Sequence, residues 1–240
     1  MIRREIKLIS GLALLVILMA VGMAQGADLR VCDCRACGCQ YLSIQEAIER
    51  ASPGDTVLVR SGYFHGNVNV SKPIILRGEK WHGGDIPLID ADGNGSCITV
   101  SADGATVKNM RVTNSGNESG NAGIRVVSNG STISDNIASE NGGSGIILEG
   151  ATNCTVYANV ATNNSFGIAL LGSEENLLFN NRLFNNTEDA FDDGQNRWDD
   201  GLVGNYYGTF NCTDENNDTI CDSAYNISGG ASVDALAQVG

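Results

Sequence analysis

A beat of 22 residues runs through the middle of this chain. Gly123-Ile124-Arg125-Val126, Gly145-Ile146-Ile147-Leu148 and Gly167-Ile168-Ala169-Leu170 repeat at spacings of 22 and 22. Asn141, Asn163 and Asn185 keep the same spacing of 22, four positions before Gly145, Gly167 and Asp189. A second set, Asn136, Asn159 and Asn181, follows at 23 and 22. A period this short, built from short apolar runs and turn residues, is the mark of a stacked repeat.

Each repeat carries Ile, Val and Leu in runs of three to five residues, too short for helices and rich in β-branched types. The sets are Ile124, Val126, Ile133 and Ile137; then Ile146, Leu148, Val156 and Val160; then Ile168, Leu170, Leu178 and Leu183. Such a turn holds two or three strands and their corners, each strand pairing with its equivalent one turn later. The predicted fold is all-β: a single-stranded right-handed parallel β-helix of about 22 residues per coil. Asn suits its tight corners, and stacked Asn side chains can hydrogen-bond along the axis. Backwards, Ile98-Thr99-Val100 lies 26 residues before Ile124-Arg125-Val126, which makes residues 116–119 an inserted loop.

An amphipathic segment precedes the beat. Ser43-Ile44-Gln45-Glu46 is a capping box, and Ile44, Ala47, Ile48 and Ala51 form one apolar face before Pro53-Gly54-Asp55. This short helix is the expected plug for the open N-terminal end of the coil. The predicted order is therefore a leader (1–26), a Cys-rich segment with the capping helix (27–54), the β-helix (55–195) and a C-terminal module (196–240).

The leader has the form of a secretory signal. Arg3, Arg4 and Lys7 precede an apolar stretch over residues 8–21, and Ala24-Gln25-Gly26 is a small-x-small cleavage site. An uncleaved anchor is the alternative. Cleavage leaves no stretch of membrane length, and the expected location is secreted, at the cell surface. The whole chain has 15 basic and 28 acidic residues; without Arg3, Arg4, Lys7 and Glu5 it keeps 12 and 27, a net charge of −15. That disfavours nucleic acid as a partner. Glycans, other envelope proteins or further copies of the chain are the expected ones.

Ten Asn-x-Ser/Thr sequons occur, at Asn69, Asn94, Asn117, Asn129, Asn153, Asn163, Asn185, Asn211, Asn217 and Asn226. From composition about three would arise by chance, so a glycosylated surface protein is expected.

Three runs resemble the opening of NosD-like right-handed β-helix proteins, in the pectin-lyase-like superfamily: Tyr41-Leu42-Ser43-Ile44-Gln45-Glu46, Val57-Leu58-Val59-Arg60-Ser61-Gly62-Tyr63, and Lys72-Pro73-Ile74-Ile75-Leu76-Arg77-Gly78-Glu79. Asn196-Arg197-Trp198-Asp199-Asp200-Gly201 and Gly204-Asn205-Tyr206-Tyr207 are similar to that family's terminal module. The resemblance implies a secreted surface protein of archaeal type. Its relatives include a copper-centre accessory protein and carbohydrate-binding or sugar-hydrolysing proteins. Copper handling would want imidazole and thioether ligands, and only His65, His82 and, beyond the leader, Met110 are present.

Cys32, Cys34, Cys37 and Cys39 form a cluster open to three readings: intramolecular disulfides, intermolecular disulfides or a soft-metal site. Cys97 and Cys154 read as buried thiols in strands. Asp214, Asn216, Asp218, Ile220 (by its carbonyl) and Asp222 have EF-hand-like spacing for a structural Ca2+. Thr219 stands where Gly is usual, and Tyr225 where Glu is. Cys212 and Cys221 bracket this loop as a candidate disulfide. No other cofactor is required.

For catalysis, Asp192 and Asp193 are the weak candidates for a hydrolytic carboxylate pair, with Arg182 and Arg197 as isolated bases. Trp198, Tyr206 and Tyr207 are the weak candidates for a sugar platform, or a plug for the C-terminal end. The expected function is non-catalytic: a glycosylated β-helix with a structural or adhesive role in a coat, sheath or filament. The alternatives are a carbohydrate-binding or carbohydrate-cleaving protein, and a metal-handling accessory protein.

Overall fold

A computed structural model describes residues 26–240. The predicted leader, apart from Gly26, lies outside the described residues. Three parallel sheets of seven, six and seven strands run along one rod. One coil shows the plan. Thr132–Ser134 belongs to sheet I, Ile137–Ser139 to sheet III and Ser144–Glu149 to sheet II. The next coil repeats it with Thr155–Tyr157, Val160–Thr162 and Phe166–Leu171. The following one uses Leu177–Phe179, Arg182–Phe184 and Glu188–Asp192.

Register follows the beat. Ile124, Ile146, Ile168 and Ala190 are successive partners in sheet II. Ile133, Val156 and Leu178 stack in sheet I. Side chains alternate faces along a strand, so these rows fill a single continuous core. In sheet III the inward row is Ala138, Ala161 and Leu183. Ile137 and Val160, members of the repeated apolar sets, sit half-buried on the outer face. The corner from sheet I to sheet III is only two residues long, and its geometry sends the second strand residue inward.

In the three regular coils, each of the two corners flanking sheet III pairs a left-handed residue with a buried Asn. Asp135, Ala158 and Asn180 (φ 58°, 55° and 54°) precede Asn136, Asn159 and Asn181. Glu140, Asn163 and Asn185 (φ 57° each) precede Asn141, Asn164 and Asn186. The ladder therefore runs through Asn164 and Asn186, and not through Asn163 and Asn185 as their spacing suggests. The latter two make the bend and are exposed.

The ends are closed differently. At the N-terminal end the helix Ile44–Arg50 buries Ile44, Ala47 and Ile48, with the Ser43 hydroxyl accepting the Glu46 N–H at 3.3 Å. At the C-terminal end Tyr206–Tyr207 adds the last strand of sheet III. Trp198, Tyr207, Ile227 and Ala237 join the core there. Among the described residues no helix is long and apolar enough to cross a membrane.

The repeated glycine has a steric cause. A Cβ at Gly145 would lie 2.8 Å from both the Gly167 carbonyl oxygen and Asn164 Nδ2, and at Gly123 2.8 Å from the Gly145 oxygen. The stack ends where Asp189 takes the fourth place. Gly145→Ala is expected to cost about 1–3 kcal/mol by overpacking, read as a lowered midpoint in urea unfolding.

Candidate functional site

The acidic cluster near the end of the rod is the first place to look for chemistry, and it is built from ladder ends. Asn136 N–H and Nδ2 both donate to Asn159 Oδ1 at 3.0 Å, and Asn159 donates likewise to Asn181. Asn181 donates to Asn205, and Asn205 to Asp234 Oδ2 at 2.6 and 3.0 Å. The second ladder passes from Asn141 through Asn164 to Asn186, whose Nδ2 donates to Asp189 Oδ1 at 3.0 Å. The third passes from Asn176 to Asn196, whose Nδ2 donates to Asp192 Oδ1 at 2.8 Å.

Asp192 thus ends a ladder. It is fully buried, and its oxygens take the Gly194 N–H, Asn196 Nδ2 and Trp198 Nε1. Asp193 is exposed, and its Oδ1 accepts the Gly172 N–H at 2.6 Å. The two do not form a pair facing a substrate. Trp198 and Tyr207 are likewise buried and present no ring to a sugar. Tyr206 is half-buried beneath the Arg182 guanidinium, 4.5 Å from its ring centre. Arg197 is exposed and donates to the Asp199 carbonyl at 3.4 Å. Burial raises the Asp234 carboxyl and holds the Tyr207 phenol well above its ordinary value.

Sequence reasoning missed a groove on the outer face of sheet II. Arg125, Ile147, Ala169 and Phe191 are successive partners on that face. Ala122, Ile147 and Ala169 are buried there beneath Phe166, Leu171 and Phe191, apart from the main core. The inserted loop, with Glu118, walls one side and encloses about 320 Å3. Arg125 Nε pairs with Glu149 at 2.7 Å beside it. The signal available in the sequence was the outward position of the beat, which turns apolar at Ile147.

The cysteines of the N-terminal cluster are bridged within the chain, Cys32 to Cys39 and Cys34 to Cys37, and Cys212 is bridged to Cys221. Cys97 and Cys154 are free, buried and set at corners. Burial pushes the Cys97 thiol up to about 12 and raises that of Cys154. His65 Nδ1 lies 2.9 Å from Asp92, while His82 packs edge-on against Trp81. Met110 is fully buried.

The acidic loop is folded on itself. Asp214 accepts the N–H groups of Asp218 and Thr219 at 3.1 and 3.0 Å, and Asp218 accepts that of Ile220 at 2.9 Å. Asn216 Oδ1 accepts the Asp218 N–H, and Asp222 that of Glu215. Thr219 adopts φ 74°, the left-handed bend that Gly usually supplies at this place. Among the described residues, one group of three places ligand atoms within 4.8 Å of one another: Asp33, Cys34 and Cys37. The carboxylates of Asp214, Asp218 and Asp222 do not.

The model of the family described as periplasmic copper-binding protein (NosD) matches residues 88–212. No curated protein matches the chain. Among solved structures, the pectate lyase Pel9A superposes with a TM-score of 0.59 at 17% identity, over 81% of this chain and 57% of the lyase. The chain thus spans little more than half of that enzyme, and the likeness is one of fold. A pectin methylesterase from Aspergillus niger, in deglycosylated form, is matched over 77% of this chain and 75% of its own at 13% identity, with a TM-score of 0.38.

The buried thiols are expected to resist iodoacetamide at neutral pH in the folded protein, and to react fully after unfolding; mass spectrometry of the two samples checks this. Asp192→Asn places an amide against three donors and is expected to cost about 1–3 kcal/mol, read by urea unfolding.

Proposed function

Because the chain belongs to the NosD family and is built as a parallel β-helix, we propose that it is a non-catalytic, secreted and glycosylated protein of the cell envelope. Its role on this reading is structural or adhesive, in a coat, sheath or filament. The observation that carries the reading is how the asparagines divide. All ten sequon asparagines are exposed, whereas the eight buried ones all belong to ladders. Asn163-Asn164-Ser165 and Asn185-Asn186-Thr187 do both tasks in three residues, acceptor outward and ladder rung inward.

The sequons are also confined in space. Asn69 is on sheet II, and Asn94, Asn117, Asn129, Asn153, Asn163 and Asn185 lie at its two bordering corners. Asn211, Asn217 and Asn226 follow in the C-terminal module. Sheets I and III, and the corner they share, carry none. Half-buried apolar side chains stand outward on those faces, including Tyr157 stacked on Phe179 at 5.3 Å and the Ile137–Val160 row. Glycans on one side leave the other free for packing against envelope proteins or further copies. Three disulfides favour an oxidising compartment, in keeping with the family's periplasmic description.

The family's copper-binding description does not fit the donors of this chain as folded. Six of the eight cysteines are bridged and the other two are buried. No histidine joins the one group of three potential ligands among the described residues. A carbohydrate-binding reading rests on the sheet II groove, where Phe166 and Phe191 meet edge-on at 5.9 Å. On that reading Phe191→Ala weakens glycan binding about 10-fold, and a glycan array without signal for the wild type removes it.

Thr132→Asn creates the run Asn-Ile-Ser on sheet I. A glycan there is expected to abolish incorporation into the envelope, while Asn153→Gln leaves it intact; imaging of labelled protein on native cells reads both. Wild-type protein found free in the medium and monomeric would contradict the proposal.

A further inference from the structure

The outer face of sheet I carries two rows of side chains whose character changes along the rod. Its first strands are Asp28–Val31, Thr56–Arg60, Ile75–Glu79 and Thr106–Lys108, followed by the three given above. Arg197 is bridged onto Leu177 as an eighth rung. In one row Arg30, Leu58, Arg77 and Lys108 are successive partners, and Ser134, Tyr157 and Phe179 follow. Asp199, two residues after Arg197, takes the eighth place. The other row is Asp28, Thr56, Ile75 and Thr106, then Thr132, Thr155, Leu177 and Arg197.

The cations of the first row are unpaired. Arg77 and Lys108 stand directly opposite each other in register, where like charges repel. Neither they nor Arg30 belong to any of the ion pairs among the described residues. Arg77 Nε is buried without a hydrogen-bond partner. Yet acids outnumber bases by 27 to 12 beyond the leader. The charge is also uneven along the rod: residues 27–131 hold 10 basic and 11 acidic side chains, and residues 132–240 hold 2 and 16.

We propose that this face pairs with the same face of a second copy of the chain, the two rods antiparallel about a two-fold axis between the Thr106 and Thr132 rungs. The proposal rests on the reading of sheets I and III as packing faces and names the partner for sheet I. The axis lies along the strands, so each row meets itself with its rungs in reverse order. Both rows are then their own complements. Arg30 meets Asp199 of the second copy, and Asp28 meets its Arg197. Arg77 lies over the ring of its Tyr157, a cation–π contact, and Phe179 closes over the Leu58 position. Lys108 meets Ser134, and Thr106 meets Thr132. Every contact is made twice, as a two-fold interface requires. Parallel rods would instead set cation on cation and one acidic half on the other. A polyanion laid along the face would be repelled by the acidic half. Eight rungs of strands three to five residues long make a face of roughly 35 by 15 Å. A pair therefore buries about 1,000 Å2 in total, an area of weak, concentration-dependent association.

The test is sedimentation velocity of the full chain from low micromolar to submillimolar concentration. The expected result is a monomer–dimer equilibrium that weakens at least about 10-fold between about 0.1 and 0.5 M salt. Arg30→Asp and Asp199→Arg are each expected to weaken pairing about 10-fold, and Arg30→Asp/Asp199→Arg to restore it. Within one rod these two positions are roughly 34 Å apart, so the rescue passes through a second copy. The exchange Asp28→Arg/Arg197→Asp repeats the test on the other row. Tyr157→Ala is expected to weaken pairing about 10-fold, and unchanged urea midpoints verify that the variants fold. A dimer in which neither exchange restores what its single substitutions lose overturns the proposal. So does a wild type that is monomeric throughout. Such a monomer found on the native cell surface leaves the envelope role standing with a different partner for sheet I; found free in the medium, it overturns both.

Discussion

Each inner ladder Asn gives two N–H groups to the oxygen of the Asn one coil on, and a further one to a carbonyl of the coil behind. Asn159 does so with Asn181 Oδ1 and the Ile133 carbonyl. Along a ladder each rung donates to the next Asn side chain, so the group that ends the ladder needs only to accept. A carboxylate meets that need, and an amide does not, because its own N–H groups would find no acceptor. All three ladders finish on buried aspartates, Asp189, Asp192 and Asp234. Their burial is tolerable because the donors arrive together; Asp234 takes the Asn205 and Leu236 N–H groups, Asn205 Nδ2 and the Tyr207 hydroxyl.

This constraint decides what the acidic cluster is for. Carboxylates close together in a pectin-lyase-like fold invite a catalytic reading. Here Asp189 and Asp192 are consumed by the ladders, and the aromatic residues beside them close the core. The surfaces the ladders do not occupy are the sheet II groove, the sequon-free faces of sheets I and III, and the Cys-rich segment at the other end.

Much of the fold was legible because its physics is periodic. The Gly-Ile beat and the set Asn136, Asn159 and Asn181 are direct consequences of coil stacking. So was the plug helix, since a capping box and one apolar face are local signals. The set Asn141, Asn163 and Asn185 was displaced by one residue at Asn163 and Asn185, because adjacent asparagines keep the same period and only the backbone tells the bend from the rung. That Ile137 and Val160 face outward was not legible, because a two-residue corner resets the inward phase. The end of a ladder is not periodic at all, so Asp192 looked like chemistry. The groove was hidden for a related reason: its walls come from an insertion and from three different coils.

The most direct test of the ladder account compares equilibrium unfolding of two alanine variants. Asn159→Ala removes a rung and leaves the Asn136 N–H groups without their acceptor. At about 1–3 kcal/mol for each buried group left unpaired, the account predicts a loss of about 3 kcal/mol or more. Asn117→Ala, in the exposed inserted loop, is predicted to change stability by less than about 0.5 kcal/mol. Equal effects from the two substitutions would contradict the account.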